Sequence, residues 1–234
     1  MTGGPSPLPG ERVTRPCLTA GWLCQTFLHW RYEPHVVQAL LPPGVVVDTF
    51  DGAAWVGLTP FVMASVRPLG LPYPRWTFPE TNLRTYVRLG DGRPGLWFLS
   101  LEVTAFPLPA ARALGIPYHL GRLRCWRDGP AVRYAGERRG GGPAYRLAVR
   151  PGERLDPGAL DVWLTARWRA YSRGAGLLWE TPVEHEPWRL SAARVEDVRQ
   201  ALTAAAGLPD PAGPPLVHFS PGVRGVRLGF PRPA

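Results

Sequence analysis

The sequence contains no lysine, although 27 of its 234 residues are basic and the net charge is +9. Every basic residue is therefore an arginine. Because a side-chain Schiff base, a P-loop lysine and a lysine general base all need a primary amine, the sequence excludes all three. Excess positive charge alone indicates only non-specific attraction to anions, and no helix-turn-helix, zinc or RNA-recognition motif accompanies it. We expect no nucleic-acid partner.

Long apolar runs and cysteine are also scarce. No run approaches the about 20 residues that a membrane-spanning helix needs, and the first 16 residues have no apolar signal-peptide core. These features predict a cytoplasmic protein without a membrane partner. Cys17, Cys24 and Cys125 form neither an even disulfide framework nor a Cys-x-x-Cys pair, so we expect free thiols. No nucleotide-binding loop or metal-ligand spacing stands out, and we expect no cofactor and no metal.

Glycine (27 residues) and proline (29 residues), in contrast, are abundant. They interrupt the chain so often that long helices are disfavoured and short strands with many turns are favoured. We predict a flexible leader over residues 1–16 and a single, mainly β domain with a few helices over residues 17–234. The predicted helices begin near Pro34, within residues 155–173 and within residues 192–206, with a further short helix in "PAARALG".

One predicted strand, within "FPETNLRTYVRLG", has a polar face. Glu80, Asn82, Arg84 and Tyr86 stand at every second position, so their side chains share one side. The backbones of Glu80 and Arg84 lie about 13 Å apart along a strand, too far for comfortable direct pairing. The next predicted strand, "LWFLSLEVTAF", forms a hairpin with the first, and we expect its Glu102 to pair with Arg84.

Several interpretations of these polar residues remain open. The polar face could be exposed to solvent, stabilise the barrel through ion pairs, or line a ligand cavity. His29 is either an acid–base group of that cavity or a core histidine. His185 and Trp188, in "VEHEPWRL", either line the cavity mouth or pack a loop. A metal site at His185 lacks a second histidine at suitable spacing.

Five segments in order carry a resemblance to a known family. They are "FLHWRYEPHVVQALLPPGVVVDTFDGAAWVGLTPFVM", "GLPYPRWTFPETNLRTYV", "GRPGLWFLSLEV", "LGIPYHLGRL" and "HEPWRL". The chain resembles the YqjF-like uncharacterised family (DUF2071) from Cys17 to Phe230. Its most specific segment is the Glu-x-Asn-x-Arg-Thr-Tyr-Val run that begins at Glu80.

That family is similar to acetoacetate decarboxylase, and the resemblance implies an antiparallel β-barrel with peripheral helices, closed around a small-molecule cavity. It places Glu80 where the decarboxylase has a cavity glutamate, and Tyr118 as a wall residue. The decarboxylase's Schiff-base lysine has no counterpart in "PLPAARALGIPY". Arg112 lies nearby, but a guanidinium stays protonated and is a poor nucleophile, so imine chemistry is not carried over.

The sequence therefore predicts a cavity that binds a small organic acid or carbonyl compound. Arg84 would face the anionic group, Glu80 and Glu102 would set its protonation, and Asn82 and Tyr86 would donate or accept hydrogen bonds. A lysine-independent lyase or isomerase would work by proton transfer from Glu80. The alternative is a non-catalytic protein whose polar interior is a structural network and whose role is assembly or partner binding. The oligomeric state stays open, a homo-oligomer included.

Overall fold

The computed structural model describes residues 6, 8–69, 71, 75–104 and 112–234. The protein is mostly β, with 60% of residues in strands and 8% in helices. The strands are β1 Pro16–Tyr32, β2 Val45–Val47, β3 Ala54–Pro68, β4 Trp76–Leu89, β5 Pro94–Val103, β6 Tyr118–Asp128, β7 Ala131–Arg138, β8 Ala144–Arg154, β9 Arg169–Gly174, β10 Leu177–Glu184, β11 Ser191–Gln200, β12 Leu216–Gly229 and β13 Arg232–Pro233. Three helices lie within the described residues, α1 Pro34–Gln38, α2 Ala159–Thr165 and α3 Leu202–Ala205.

Nine of the strands close into a barrel in the order β1, β3, β4, β5, β6, β7, β8, β11 and β12. Neighbouring strands are antiparallel except at β5, which pairs in parallel with β6. Closure leaves these strands without a free edge around the ring, which removes the liability of unpaired backbone groups. The predicted fold, a mainly β antiparallel barrel with peripheral helices, is confirmed.

The same sheet closes a second, smaller ring. Near one end of β5, Leu96 and Trp97 pair with β9 instead of β6. Near one end of β12, Arg227 and Leu228 pair with β10 instead of β11. Since β9 and β10 pair with each other, they join β5 to β12. Strands β12, β1, β3, β4 and β5 are therefore a wall shared by the barrel and the smaller ring, with one face turned to each.

Apolar side chains fill the nine-stranded barrel. Leu28, Leu58 and Leu83 point into it from the shared wall, and Tyr134 and Leu147 meet them from β7 and β8. All five are at most 1% exposed, and each such burial contributes about 1.5–3 kcal/mol. The barrel interior is thus the hydrophobic core, and α1 and α3 add Val37 and Leu202 to it.

Two predicted helices are wrong in part. The helix expected over residues 155–173 ends at Thr165, and the following segment is strand β9. Tyr171, expected on the helix, is instead the buried register partner of Trp97. The segment expected as a helix over residues 192–206 forms strand β11 along β8 and only then the short α3. In both segments pairing with a neighbouring strand overrides the helical preference of alanine, arginine and glutamate.

The described part of the predicted leader contacts the body of the protein. Val13 is buried, and its backbone N–H donates to Glu184 at 2.7 Å. Glu11 pairs with Arg232 near the other end of the chain. Strand β1 begins at Pro16. Residues 109–111 of the short helix predicted in "PAARALG" lie outside the described residues, and the next two residues, Arg112 and Ala113, are helical. No helix in the described part of the chain is both long and apolar enough to cross a membrane.

Candidate functional site

A cavity of about 130 Å³ lies inside the smaller ring. Its volume is close to that of the about 150 Å³ cavities that hold benzene, so it has room for one small molecule. Most of its lining is apolar, as expected for a small-molecule site. The apolar lining comes from the shared wall, the segment before β6 and strand β10, including Trp22, Phe61, Met63, Phe98, Leu101, Ile116 and Val183.

Strand β4 supplies three polar side chains to this cavity. Glu80, Asn82 and Arg84 line it, while Thr81 and Leu83 between them face the barrel core, because successive residues of a strand point to opposite sides. The alternation in the sequence therefore predicted the shared face correctly. The remaining polar lining comes from other elements, including Gln25, Thr59, Tyr118, Arg167, Ser172 and His185.

Arg84 is the unpaired cation of the site. No carboxylate of the described residues lies within ion-pairing distance of its guanidinium, and its Nε has no hydrogen-bond partner. Its hydrogen bonds go to uncharged groups: Nη2 donates weakly to the carbonyl oxygen of Leu164 at 3.3 Å, and the guanidinium also bonds to the Tyr86 side chain. The guanidinium carbon stands 5.5 Å from the centre of the Phe27 ring. Leaving a partly buried charge without a counter-ion is costly, so this arrangement favours an anion in the cavity.

The carboxyl end of α2 lies beneath Arg84. The last carbonyl groups of a helix lack intrahelical donors, and here side chains from the site supply them. Arg167 Nε donates to the Trp163 oxygen at 3.0 Å, Tyr86 to the Leu164 oxygen at 2.7 Å, and Trp188 to the Thr165 oxygen at 3.2 Å. The partial negative charge at a helix carboxyl end also stabilises nearby arginines. The helix thus fixes three side chains around the cavity.

Tyr86 and His29 form a buried pair directly behind Arg84. The Tyr86 hydroxyl donates its only hydrogen to the Leu164 oxygen, so His29 Nε2, 2.7 Å away, must donate to that hydroxyl. This fixes the His29 tautomer with a bare Nδ1, which has no partner. Burial lowers the pKa of His29 well below its usual range, and Arg84 adds to the effect. His29 is therefore a neutral histidine that holds Tyr86 in place.

Glu80 is a neutral acid at physiological pH. Its side chain is almost fully buried, and burial raises its pKa from 4.5 to about 8, against a smaller opposing effect of its hydrogen bond with Asn82. Asn82 has a buried Oδ1 atom without a partner. Tyr118 lies close enough to Glu80 that burial and the Glu80 charge both raise the tyrosine pKa well above its usual range. A carboxylic acid, an amide and a phenol therefore line one side of the cavity.

Arg167 is a site residue that the sequence reasoning missed. It is 4% exposed, lines the cavity and pairs through Nη1 with Asp48 at 2.9 Å. Its Nη2 atom has no partner. Burial lowers the pKa of Arg167 to about 10, so the group stays charged at neutral pH. Asp48 also holds Arg88 at 2.7 Å. Arg167 lies in the segment predicted as a helix, and nothing in its local sequence marks it as buried.

His185 lies in an aromatic cage at the side of the cavity. Its ring centre is 5.4 Å from Trp22, 4.7 Å from Trp168 and 4.9 Å from Trp188. Its Nδ1–H donates to the carbonyl oxygen of Glu186 at 2.6 Å. Burial lowers the pKa of His185 to about 4, so the ring is neutral at physiological pH. His185 and Trp188 line the cavity wall, and among the described residues no three metal-ligating side chains come together.

The predicted partnership between Glu102 and Arg84 is wrong. Glu102 faces the nine-stranded barrel and forms a bidentate pair with Arg138 at 2.7–3.1 Å. The reason is a β-bulge: Leu83 pairs with Ser100 but Arg84 pairs with Phe98, so Leu99 is an extra residue. The bulge turns Phe98 toward the cavity and Ser100 and Glu102 away from it. Period-two alternation holds only as far as the bulge.

Of the nine predicted site residues, six line the cavity. They are Glu80, Asn82, Arg84, Tyr118, His185 and Trp188. His29 and Tyr86 lie behind Arg84 in the same hydrogen-bonded cluster, and Glu102 lies on the opposite face of the shared wall. Arg112, near the position where the resemblance implies the decarboxylase lysine, is exposed and donates to the Tyr118 carbonyl oxygen at 2.9 Å.

The fold belongs to the acetoacetate decarboxylase-like class. The structure superposes on an acetoacetate decarboxylase-like enzyme from Sphingomonas wittichii RW1 with a TM-score of 0.64 and 18% identity, covering 96% of this chain and 95% of that chain. It also superposes on the enduracididine biosynthesis enzyme MppR complexed with pyruvate, with a TM-score of 0.70 and 17% identity, covering 99% and 98%. At such identities the likeness establishes the fold alone.

Within that class the chain is a member of the DUF2071 family of uncharacterized conserved proteins, whose model matches residues 19–224. It is 32% identical over 207 residues to the uncharacterized protein YqjF of Bacillus subtilis (strain 168), and the match covers 85% of each chain. The family predicted from the polar strand and its neighbouring segments is confirmed.

Proposed function

We propose that the protein binds a small carboxylate that also carries a carbonyl group, with its carboxylate on Arg84 and its carbonyl oxygen toward Glu80. The observation that carries the proposal is Arg84, a cavity guanidinium with an unpartnered Nε and no carboxylate partner among the described residues. Charge-assisted bonds from arginine to a carboxylate are about twice as strong as neutral ones. A monoanion in the cavity would neutralise this charge.

Charge and size support a monocarboxylate. Arg167 shares the Asp48 carboxylate with Arg88, while Glu80, His29 and His185 are neutral, so Arg84 is the cavity cation that has no carboxylate partner among the described residues. The cavity of about 130 Å³ suits a molecule with as many non-hydrogen atoms as benzene, and pyruvate is such a molecule. Pyruvate is bound in a complex of MppR, which has the same fold. This likeness supports the ligand class without establishing it.

The chemistry that this site supports is proton transfer. A protonated Glu80 donates to a carbonyl oxygen and favours its enol or hydrate, while Arg84 holds the carboxylate and stabilises developing negative charge. Asn82 accepts or donates a hydrogen bond beside the acid. Because the chain has no lysine, none of these steps passes through an imine. The protein is proposed to act as a lysine-independent lyase or isomerase on such a ligand.

The test is a melting-temperature panel of small keto, hydroxy and dicarboxylic acids. A ligand at one hundred times its dissociation constant stabilises the folded protein by about 2.7 kcal/mol, which shifts the melting curve visibly. We expect a keto monocarboxylate to stabilise wild type and to lose this effect in Arg84→Met. The matched control is Arg146→Met, which removes an exposed arginine from β8 and should respond like wild type.

The alternative is a non-catalytic protein whose interior charges serve only stability. Glu102 with Arg138, and Asp48 with Arg88 and Arg167, are ion pairs of that structural kind. Arg84 and Glu80 are not paired in this way. The alternative would be supported if no acid in the panel shifted the melting temperature and Arg84→Met melted higher than wild type, since the unpaired charge would then only be a cost.

A further inference from the structure

Two of the three cysteines meet across the fold. Cys24 lies on β1 and Cys125 on β6, about a hundred residues later in the chain, and these strands are not neighbours in the sheet. Their thiols nevertheless lie close enough to interact, and each is the largest influence on the other's pKa. Tyr134 holds the arrangement: it is the register partner of Cys125, and its hydroxyl donates to the Cys24 carbonyl oxygen at 2.5 Å.

The backbone at Cys24 is irregular. Its φ of 50° lies in the left-handed region, which a residue with a side chain rarely adopts, and strand β1 loses its register with β3 between Leu23 and Leu28. The irregularity leaves Trp22 and Gln25, on either side of it, both facing the cavity of the smaller ring. At Cys24, where β6 comes near, β1 therefore does not follow the regular alternation of side chains between its two faces.

We propose that Cys24 and Cys125 are a reversible dithiol–disulfide site, with Cys24 as the nucleophile and Cys125 as the resolving thiol. Both residues are partly exposed, so a small oxidant can reach them. The disulfide would tie β1 to β6, which are not neighbours in the sheet. The site is separate from the cavity of the smaller ring and does not depend on the function proposed for it.

The environment distinguishes the two thiols. The neighbouring Cys125 thiol lowers the pKa of Cys24 to about 6, burial opposes the change, and the Arg127 charge lowers the pKa further. The neighbouring Cys24 and burial raise the pKa of Cys125 above its usual range. At neutral pH Cys24 is thus mainly the thiolate, which is the reactive form, and Cys125 is the thiol that stabilises it.

The reaction with a peroxide balances in two steps. The Cys24 thiolate attacks one peroxide oxygen, the O–O bond breaks, and the leaving hydroxide takes a proton to become water, which leaves a sulfenic acid. The Cys125 sulfur then attacks the Cys24 sulfur, the S–O bond breaks, and hydroxide leaves with the Cys125 proton as a second water. The two thiols supply the two electrons that reduce one peroxide to two waters.

Cys17 is an internal control. It is also partly exposed, but its thiol donates to the carbonyl oxygen of Gly229 at 3.1 Å, and burial raises its pKa. It therefore shares the accessibility of the pair but has no thiol beside it. Cys17 should remain reduced at peroxide concentrations that oxidise Cys24.

The experiment treats the purified full-length chain with one equivalent of hydrogen peroxide and counts free thiols under denaturing conditions, with peptide mapping of the product. We expect wild type and Cys17→Ser each to lose two thiols, to yield a cross-linked peptide pair containing Cys24 and Cys125, and to recover both thiols with a reductant. In Cys125→Ser we expect a sulfenic acid at Cys24 that dimedone traps. In Cys24→Ser we expect no oxidation at this dose.

Wild-type protein alone also tests the proposal, so a variant that fails to fold does not leave it open. Alkylation with iodoacetamide in the native state should modify Cys24 before Cys17, with a rate that rises to half its maximum near pH 6. The proposal is overturned if Cys17 is modified first, if the peroxide product is a disulfide between two chains, or if Cys24→Ser loses thiols as fast as wild type.

Discussion

At the scale of single residues, Glu80 determines the acid–base state of the cavity. It is 3% exposed, and burial raises its pKa to about 8, so it carries its proton at neutral pH. Neutral Glu80 and charged Arg84 give the cavity a hydrogen-bond donor and the proposed anion site instead of a mutually satisfied ion pair. That combination is what a carbonyl-bearing carboxylate requires.

The raised pKa of Glu80 predicts a specific dependence of stability on pH. Below pH 4.5 the group is protonated in both the folded and the unfolded state; as pH rises toward 8, the unfolded chain loses this proton first, so the folded state loses relative stability. At about 1.4 kcal/mol for each pKa unit, the loss amounts to about 4–5 kcal/mol above pH 8. We expect Glu80→Gln to remove this loss.

Urea unfolding at pH 5 and pH 9 measures the effect. Glu80→Gln should be more stable than wild type at pH 9, by several kcal/mol, and close to it at pH 5. Glu137→Gln, at an exposed position on β7, should follow wild type at both pH values. If the stability of wild type and of Glu80→Gln changed with pH in the same way, Glu80 would ionise normally. The proposed role of Glu80 as a proton donor would then be contradicted.

At the scale of elements, the carboxyl end of α2 joins the helix to the cavity. Tyr86→Phe deletes the donor to the Leu164 oxygen and the acceptor for His29 in one step. Leaving buried polar groups unpaired costs about 1–3 kcal/mol, so we expect a loss of that size and faster amide exchange in α2. Tyr171→Phe removes a weaker bond, 3.3 Å to the Arg93 oxygen, and should cost less. Equal losses in unfolding experiments would contradict this account of α2.

Strand β4 shows which parts of the site can be predicted from sequence. Its regular alternation placed Glu80, Asn82 and Arg84 on one face, because pleating depends only on the strand being extended. The alternation failed for Glu102, since an extra residue at Leu99 reverses the facing of β5 beyond it. A bulge arises from the way two strands pair, so the hydrophobic pattern of one strand's sequence does not reveal it.

Arg167 shows the limit of local patterns in the same way. The apolar spacing before it indicates a helix correctly as far as Thr165, but the end of α2 is set by β9 pairing with β5 and β10. Such long-range pairing is absent from a local window. The helix ends at Thr165, about two turns before the predicted end at residue 173, and this ending directs Arg167 into the cavity and onto Asp48.

At the scale of the whole molecule, Glu180 joins distant parts of the chain. Its fully buried carboxylate on β10 pairs with Arg93 before β5, with Arg169 on β9 at 3.7 Å and with Arg232 on β13 at 2.7 Å. Arg232 in turn holds Glu11, an exposed pair at 2.7 Å. The smaller ring, which contains the cavity, is thus fastened to both the early and the late segments of the chain.

The two carboxylates bound to Arg232 make a matched comparison. Glu180→Gln removes the buried carboxylate that Arg93, Arg169 and Arg232 share, although Arg93 keeps Asp91 and Arg232 keeps Glu11 as partners, and we expect it to cost about 1–3 kcal/mol. Glu11→Gln removes an exposed pair and should cost less than about 1 kcal/mol. Urea unfolding of both variants gives the values. If Glu180→Gln were as mild as Glu11→Gln, the buried network would not be what fastens the ring.

The measurement that tests the central claim most directly is titration calorimetry of pyruvate and its uncharged analogue pyruvamide with wild type and Arg84→Met. A hydrogen bond to a charged group contributes about 1.5–3 kcal/mol, so wild type should bind pyruvate about ten- to a hundredfold more tightly than pyruvamide. Arg84→Met should bind the two compounds equally. A wild type that does not distinguish them, or an Arg84→Met variant that keeps the preference, would contradict the assignment of Arg84 as the carboxylate site.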